Sequence, residues 1–195
     1  MSEIWGLAVL SLVSAVTPGP NNVMLWASGV QFGMRRTLPH ILGILLGVGS
    51  MVLVVGTGLG VLITEVPAVE NTLKVIGSVY LLYLAFQIAG GGSSDRGEAA
   101  QPLTPFQAAA FQYVNPKAWV FVLAAVTTFR PASLPVLAGS LVMALVMMVV
   151  IVPCASLWVG AGTFLSRYLA DQRRSQGFRI ALGLLLAATV VYIWL

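Results

Sequence analysis

The sequence predicts an all-α membrane protein with six transmembrane helices arranged as two inverted three-helix repeats. The prediction rests on an apolar composition, six apolar runs of spanning length, and a polar linker that divides these runs three and three. The 195 residues are 58% hydrophobic and 8% charged, with a mean hydropathy of +0.95. Because a soluble domain carries about 25% charged residues, this composition argues against a soluble enzyme, a nucleic-acid-binding protein and a disordered chain.

Six stretches are long and apolar enough to cross a bilayer, which takes about 20 residues. They are apolar on all sides rather than amphipathic, and none shows the alternation of a barrel strand. The predicted spans cover residues 4–26, 38–63, 69–89, 108–128, 134–162 and 178–195. The first run has no basic segment before it and continues to Trp26, so we do not expect a cleaved signal peptide.

A polar connection separates the third run from the fourth. Residues 91–105 are rich in glycine, serine and charged side chains, a composition typical of a flexible linker. We predict one transmembrane transporter domain over residues 1–195, with repeats at about 1–90 and about 106–195. Because each half holds an odd number of spans, the halves enter the membrane from opposite sides, as the inverted repeats of secondary transporters do.

Basic residues are distributed unevenly between the two ends of the predicted spans. The connections after the first, third and fifth runs hold seven arginines, whereas the other side holds Arg130 and at most Lys74. Basic loops mark the cytoplasmic side of a membrane protein. We therefore predict an inner-membrane protein with a cytoplasmic linker and periplasmic N- and C-termini. The seven arginines are Arg35, Arg36, Arg96, Arg167, Arg173, Arg174 and Arg179.

The first predicted span contains a proline motif that interrupts a helix. The motif consists of Thr17, Pro18, Gly19, Pro20, Asn21 and Asn22. Proline removes a backbone donor and clashes with the preceding turn, so carbonyls are freed before the break and N–H groups after it. The resumed helix N-terminus suits a carboxylate, whereas freed carbonyls and the Thr17 hydroxyl suit an ammonium group. The motif therefore predicts a site for a zwitterionic amino acid, and a simple helix kink is the alternative.

The fourth predicted span carries a second break, formed by Asn115, Pro116 and Lys117. A lysine at the centre of a span costs about 2.5–3.5 kcal/mol on insertion scales. Such a residue usually faces a cavity or a partner, and here it would bind a substrate carboxylate. In the alternative interpretation the Lys117 stem extends to the cytoplasmic interface. We predict that residues 17–22 and 115–117 bind substrate.

His40 stands beside Pro39 at the start of the second span. With an unperturbed pKa of about 6.5 a histidine can relay protons, and a hydrogen-bonded interfacial histidine is the alternative. No aspartate or glutamate lies in the middle of a predicted span. One histidine and one cysteine, Cys154, cannot form a metal site, so we expect no metal and no cofactor. Gly43 and Gly47 form a small-residue face suited to close helix packing.

Together these motifs resemble the LysE/RhtB family of amino-acid exporters. The likeness covers essentially the whole chain and is carried by residues 17–22, the loop at 33–36, the glycines at 43 and 47, Lys74 with Gly77, Tyr80, Tyr83, Phe111 and residues 115–118. One departure is Thr37, where many members have glycine. The resemblance implies an inner-membrane exporter of small amino acids, driven by the proton motive force. The chain is most similar to the cysteine/O-acetylserine exporters, and the homoserine/threonine type stays open.

The expected function is therefore efflux of a small neutral amino acid or a derivative of one. A membrane-embedded enzyme and a non-transporting scaffold are the alternatives. The enzyme would need a cluster of acids, metal ligands or nucleophiles within the membrane, and the scaffold would leave the polar breaks unexplained. The expected partners are the amino acid, a proton as coupling ion and the lipid bilayer, with no nucleic acid. Whether the protein forms a homo-oligomer is left open by the sequence.

Overall fold

The computed structural model describes residues 2–58, 66–90, 101–169 and 172–194, without the side chains of Glu70, Gln172, Arg173 and Tyr192. These residues form helices joined by turns, which confirms the all-α class. The predicted linker lies outside the described residues up to position 100, as do Arg96 and the end of the second predicted span. The helices are α1 (Ser2–Val16), α2 (Pro20–Gly56), α3 (Pro67–Ala89), α4 (Pro105–Val114), α5 (Pro116–Phe129), α6 (Val136–Ser166), α7 (Gln172–Ala188) and α8 (Val191–Trp194).

The chain is interrupted between α1 and α2, at the first proline motif. The last turn of α1 closes with a hydrogen bond from the Thr17 amide to the Val13 carbonyl at 3.0 Å. Gly19 is then fully extended and precedes Pro20, which opens α2 at the position where a missing N–H is tolerated. The polypeptide therefore loses helical hydrogen bonds for a short stretch inside the first predicted span.

Helix α2 contains a second discontinuity at Gly33, whose φ of 73° and ψ of 175° are not helical. The Ser28 and Thr37 hydroxyls are hydrogen-bonded at 2.9 Å, whereas nine residues of straight helix would separate them by about 13.5 Å along the axis. The chain therefore folds back at Gly33. The predicted loop between the first two spans is thus helical on both sides of a one-residue turn.

In the second half, α4 and α5 are separated by a single residue, Asn115, in an extended conformation. Helix α4 begins with a capping box in which Thr104 and Gln107 satisfy each other's backbone donors. Helix α5 begins at Pro116, which has no N–H to satisfy. The fourth predicted span is therefore built from two helices that meet at Asn115.

Within the described residues, three helices are long and apolar enough to cross a membrane by length and composition, namely α2, α3 and α6. Helices α1 and α5 are apolar but shorter. Large apolar side chains point outward along α6, where Val149 is 73% exposed and Leu157 is 72% exposed. Since a soluble monomer rarely exposes such continuous apolar surface, the chain is a helical membrane protein.

The core places α2 between α4 and α6, while α3 packs mainly against α7. Small residues permit these contacts, because Gly29 of α2 lies against the Val159 carbonyl and Gly162 of α6 lies against the Trp26 carbonyl. Gly43 and Gly47 lie against α4, so the small-residue face identified in the sequence is a helix-packing surface. This packing brings the break between α4 and α5 to the break between α1 and α2.

Candidate functional site

A cavity of about 60 Å³ lies where the two helix breaks meet. A water molecule needs about 10–15 Å³ of cavity volume, so this cavity has room for a small molecule. Its polar lining comes from both halves of the chain and consists of Ser11, Ser14, Asn21, Asn22, Gln112, Asn115 and Lys117. The apolar lining includes Leu25, Ile44, Val48, Phe121 and Ile151.

Lys117 connects the two breaks directly. Its Nζ donates to the Thr17 carbonyl at 2.6 Å and to the Pro18 carbonyl at 3.3 Å. The lysine stem crosses Gly19 closely, because a Cβ placed there would lie 2.8 Å from Lys117 Cδ and 3.1 Å from Nζ. The ammonium group from the second half therefore sits on carbonyls of the first half, and the missing side chain at position 19 makes room for it.

The carbonyls released by the first break are engaged by donors of the protein. Asn22 Nδ2 donates to the Ala15 carbonyl at 3.0 Å and to the Thr17 carbonyl at 2.8 Å, and Trp158 Nε1 donates to Ala15 at 3.2 Å. Carbonyls that leave a helix ladder inside a protein need other partners, and here side-chain N–H groups supply them. The sequence predicted these carbonyls as acceptors for a substrate ammonium group, and in this structure they are occupied.

Asn21 and Gln112 form a reciprocal amide pair across the cavity wall. Asn21 Nδ2 donates to Gln112 Oε1 at 2.8 Å, and Gln112 Nε2 donates to Asn21 Oδ1 at 3.1 Å. Gln112 is fully buried and donates to the Ala108 carbonyl at 2.9 Å as well. Sequence reasoning missed Gln112, although a glutamine three residues before Asn115 in an apolar run is a visible signal.

The side chains of Asn115 and Thr17, which were also predicted to bind substrate, make hydrogen bonds that stabilise the helix ends. Asn115 is buried, and its Oδ1 accepts a hydrogen bond from the Lys117 amide at 3.1 Å, capping α5. The Thr17 hydroxyl donates to the Val13 carbonyl at 2.6 Å. Of the predicted substrate-binding residues, the cavity lining includes Gly19, Asn21, Asn22, Asn115 and Lys117, and it does not include Thr17, Pro18, Pro20 or Pro116.

His40 lies outside the cavity lining, one helical turn before Ile44, which belongs to it. The ring is buried, and neither nitrogen has a hydrogen-bond partner within the described ranges. The proton relay and the hydrogen-bonded interfacial histidine both stay predictions for this residue. Over the same described ranges, no group of three or more His, Cys, Asp or Glu side chains could hold a metal ion.

Discontinuous apolar helices that meet at a polar cavity are common among secondary transporters. The chain belongs to the LysE family of translocators, because residues 12–194 match the family described as LysE type translocator. The family assignment agrees with the resemblance seen in the motifs.

The chain is also similar to proteins that are named as efflux proteins. The chain is 30% identical over 130 residues to the cysteine/O-acetylserine efflux protein of Escherichia coli strain K12, and equally to that of Shigella flexneri. It is 28% identical to the protein of the same name from Salmonella typhimurium. These matches cover 66% of this chain and 65% of each relative, so they span slightly less than two thirds of the relatives' length. No solved structure is significantly similar to the chain.

Proposed function

We propose that this protein exports small neutral amino acids or their derivatives across the inner membrane by secondary transport. One observation carries the proposal: Lys117 of the second half contacts the Thr17 carbonyl of the first half, beside a polar cavity at two helix breaks. A kink that served only packing would not need a half-buried cation or a paired set of amides. Transport out of the cell is also supported by the similar protein of Escherichia coli, which is named as an efflux protein.

The substrate carboxylate would bind between Lys117 and the N-terminus of α2. Gly19 caps this helix without a side-chain hydrogen bond, and Asn21 and Asn22 of the first turn line the cavity. A helix N-terminus and an ammonium group both favour an anion. On binding, the carboxylate would replace the carbonyls of Thr17 and Pro18 as the partner of Lys117, which loosens the contact between the two halves.

The cavity favours an amino acid with an uncharged side chain. Apart from Lys117, whose charge the substrate carboxylate would pair with, the lining is neutral and offers a charged side chain no partner of opposite charge. The proposed substrates are therefore of the cysteine/O-acetylserine or the homoserine/threonine type. The names of the relatives support the first of these.

We further propose six spans in two inverted repeats, with periplasmic termini and a cytoplasmic linker. The packing supports this arrangement, since the breaks of the first and fourth predicted spans meet and the third span packs against the sixth, as α3 against α7. The proton motive force would drive export, and His40 is the proposed proton relay because it is buried one turn from the cavity. No carboxylate among the lining residues could take that role.

Transport by proteoliposomes tests the function and the site together. Vesicles containing the purified protein would be loaded with labelled cysteine, O-acetylserine, threonine or homoserine, and efflux measured with and without a pH gradient. We expect gradient-dependent efflux of at least one substrate. Lys117→Met should lower the efflux rate about 10-fold or more, because a charge-assisted hydrogen bond to the substrate is lost. Lys74 is not among the residues that line the cavity, so Lys74→Met is the control and should leave the efflux rate unchanged.

Two results would contradict this proposal. Absence of gradient-dependent flux for all four amino acids would argue against an exporter of this class. Normal flux in Lys117→Met, with correct membrane insertion, would remove Lys117 from the binding site while leaving transport established. The two outcomes therefore separate the function from its assigned residues.

A further inference from the structure

The amide of Gln112 is a polar group of the cavity wall that the carboxylate site leaves unused. Its Nε2 donates to two acceptors, the Ala108 carbonyl at 2.9 Å and Asn21 Oδ1 at 3.1 Å. The side chain also packs closely against the backbone of Gly47. A Cβ built on Gly47 would lie only 2.5 Å from Gln112 Cγ and 2.8 Å from the Ala109 carbonyl. Gln112 is therefore fixed in place by α4 and α2, independently of its contact with Asn21.

An amino acid bound through its carboxylate still needs an acceptor for its ammonium group. The lining residues within the described part of the chain include no aspartate or glutamate. The Ala15 and Thr17 carbonyls keep Asn22 and Trp158 as donors when Lys117 turns to the substrate carboxylate, and the Pro18 carbonyl belongs to a residue outside the cavity lining. The lining also offers neutral oxygens, namely the hydroxyls of Ser11 and Ser14 and the amide oxygens of Asn21, Asn22, Gln112 and Asn115. Of these, Gln112 Oε1 belongs to a fully buried side chain whose amide is also anchored to the Ala108 carbonyl, and its present partner is Asn21.

We infer that Gln112 Oε1 is the acceptor for the substrate's ammonium group, an inference that rests on the exporter function proposed above. When Asn21 swings away, the second hydrogen bond of Gln112 Nε2, to the Ala108 carbonyl, keeps the amide plane in place. The released Oε1 then accepts from the ammonium group. When the cavity empties, the amide pair re-forms, so neither amide is left buried without a partner.

Paired ligands test this role. Binding to the purified full-length protein would be measured for cysteine, O-acetylserine and threonine, each against its analogue without the amino group. We expect the wild-type protein to prefer the amino acid about 10-fold in at least one pair. Gln112→Leu should bring that ratio close to one, because it removes the acceptor and keeps the side-chain size. Lys117→Met should weaken both members of the pair and leave the ratio unchanged.

The outcomes distinguish the inference from the function beneath it. If Gln112→Leu keeps the wild-type ratio, the inference is wrong and the exporter proposal stands. If the wild-type protein binds no member of any pair, the proposed function fails as well. Should Gln112→Leu not fold, Gln112→Glu retains an acceptor and adds a charge, so it should increase the ratio. An unchanged or lower ratio in that variant would equally overturn the inference.

Discussion

Gly19 is the residue on which the contact between the two halves depends. Its extended backbone, with φ of −176°, is open to any residue, so the glycine is not required for conformational reasons. What position 19 lacks is a side chain, and the Lys117 stem occupies that space. Because the obstructing atoms belong to a flexible side chain, a substitution would displace Lys117 rather than the backbone.

We expect Gly19→Ala to fold normally and to transport poorly. The added methyl group would displace the Lys117 stem and move Nζ away from the proposed carboxylate site, so efflux should fall about 10-fold, as expected for the loss of one hydrogen bond to a charged group. The melting temperature in detergent should stay within a few degrees of the wild-type value, because a change of about 1 kcal/mol shifts it by only about 2–4 °C in a chain of this size. Full efflux by Gly19→Ala would show that the Lys117 contact is dispensable.

The sequence reveals individual polar residues that line this cavity more readily than it reveals which side chains they contact. Lys117, Asn21 and Asn115 could be found because a charge or an amide inside an apolar run is costly, and each lies beside a proline. Gln112 is equally costly but lies in a regular turn of α4, where no helix break draws attention to it. Its role depends on Asn21, 91 residues earlier, and only tertiary packing brings the two together.

At the scale of the helices, hydropathy located the apolar helices of the described residues but not the ends of those helices. The predicted spans at 4–26 and 38–63 leave a connection that the structure shows as helix on both sides of Gly33. Hydropathy falls there because of Arg35 and Arg36, yet charged side chains do not prevent helix formation. The break at Gly33 instead depends on one residue's backbone freedom, which a window average cannot detect.

The turn at Gly33 can be tested by substitution, because a side chain added there would meet no neighbouring atom. Nothing lies within 4 Å of a Cβ built there, but φ of 73° with ψ of 175° is a region that only glycine enters readily. We expect Gly33→Ala to destabilise the protein by about 1–3 kcal/mol, measured by thermal or denaturant unfolding in detergent. Gly177→Ala is the matched control, since it is equally open and lies in α7, where alanine favours the helix. Equal stability of both variants would contradict a strained turn at Gly33.

At the scale of the whole molecule, the all-α class followed from an apolar composition, 58% hydrophobic and 8% charged residues, together with apolar runs of spanning length that lack the alternation of barrel strands. The meeting of the two breaks did not follow from composition. It depends on close approaches such as Gly43 to Pro105 and Gly77 to Val114, in which backbones of distant elements touch. Small residues permit such contacts without specifying the partner, so the sequence left the arrangement of the halves to be inferred from topology.

The proposed inverted repeat can be tested by labelling from each side of the membrane. Cys154 is the protein's one cysteine, so Cys154→Ser provides a background for single replacements. We expect an impermeant maleimide to label Ser2→Cys and Ser133→Cys in intact spheroplasts, and Ser94→Cys only in inverted vesicles. Labelling of Ser2→Cys and Ser94→Cys from the same side would mean an even number of spans in the first half, and the inverted repeat would be wrong. Complete reversal of the three sites would keep the repeat and correct only the placement of the termini, which rests on arginine counts alone.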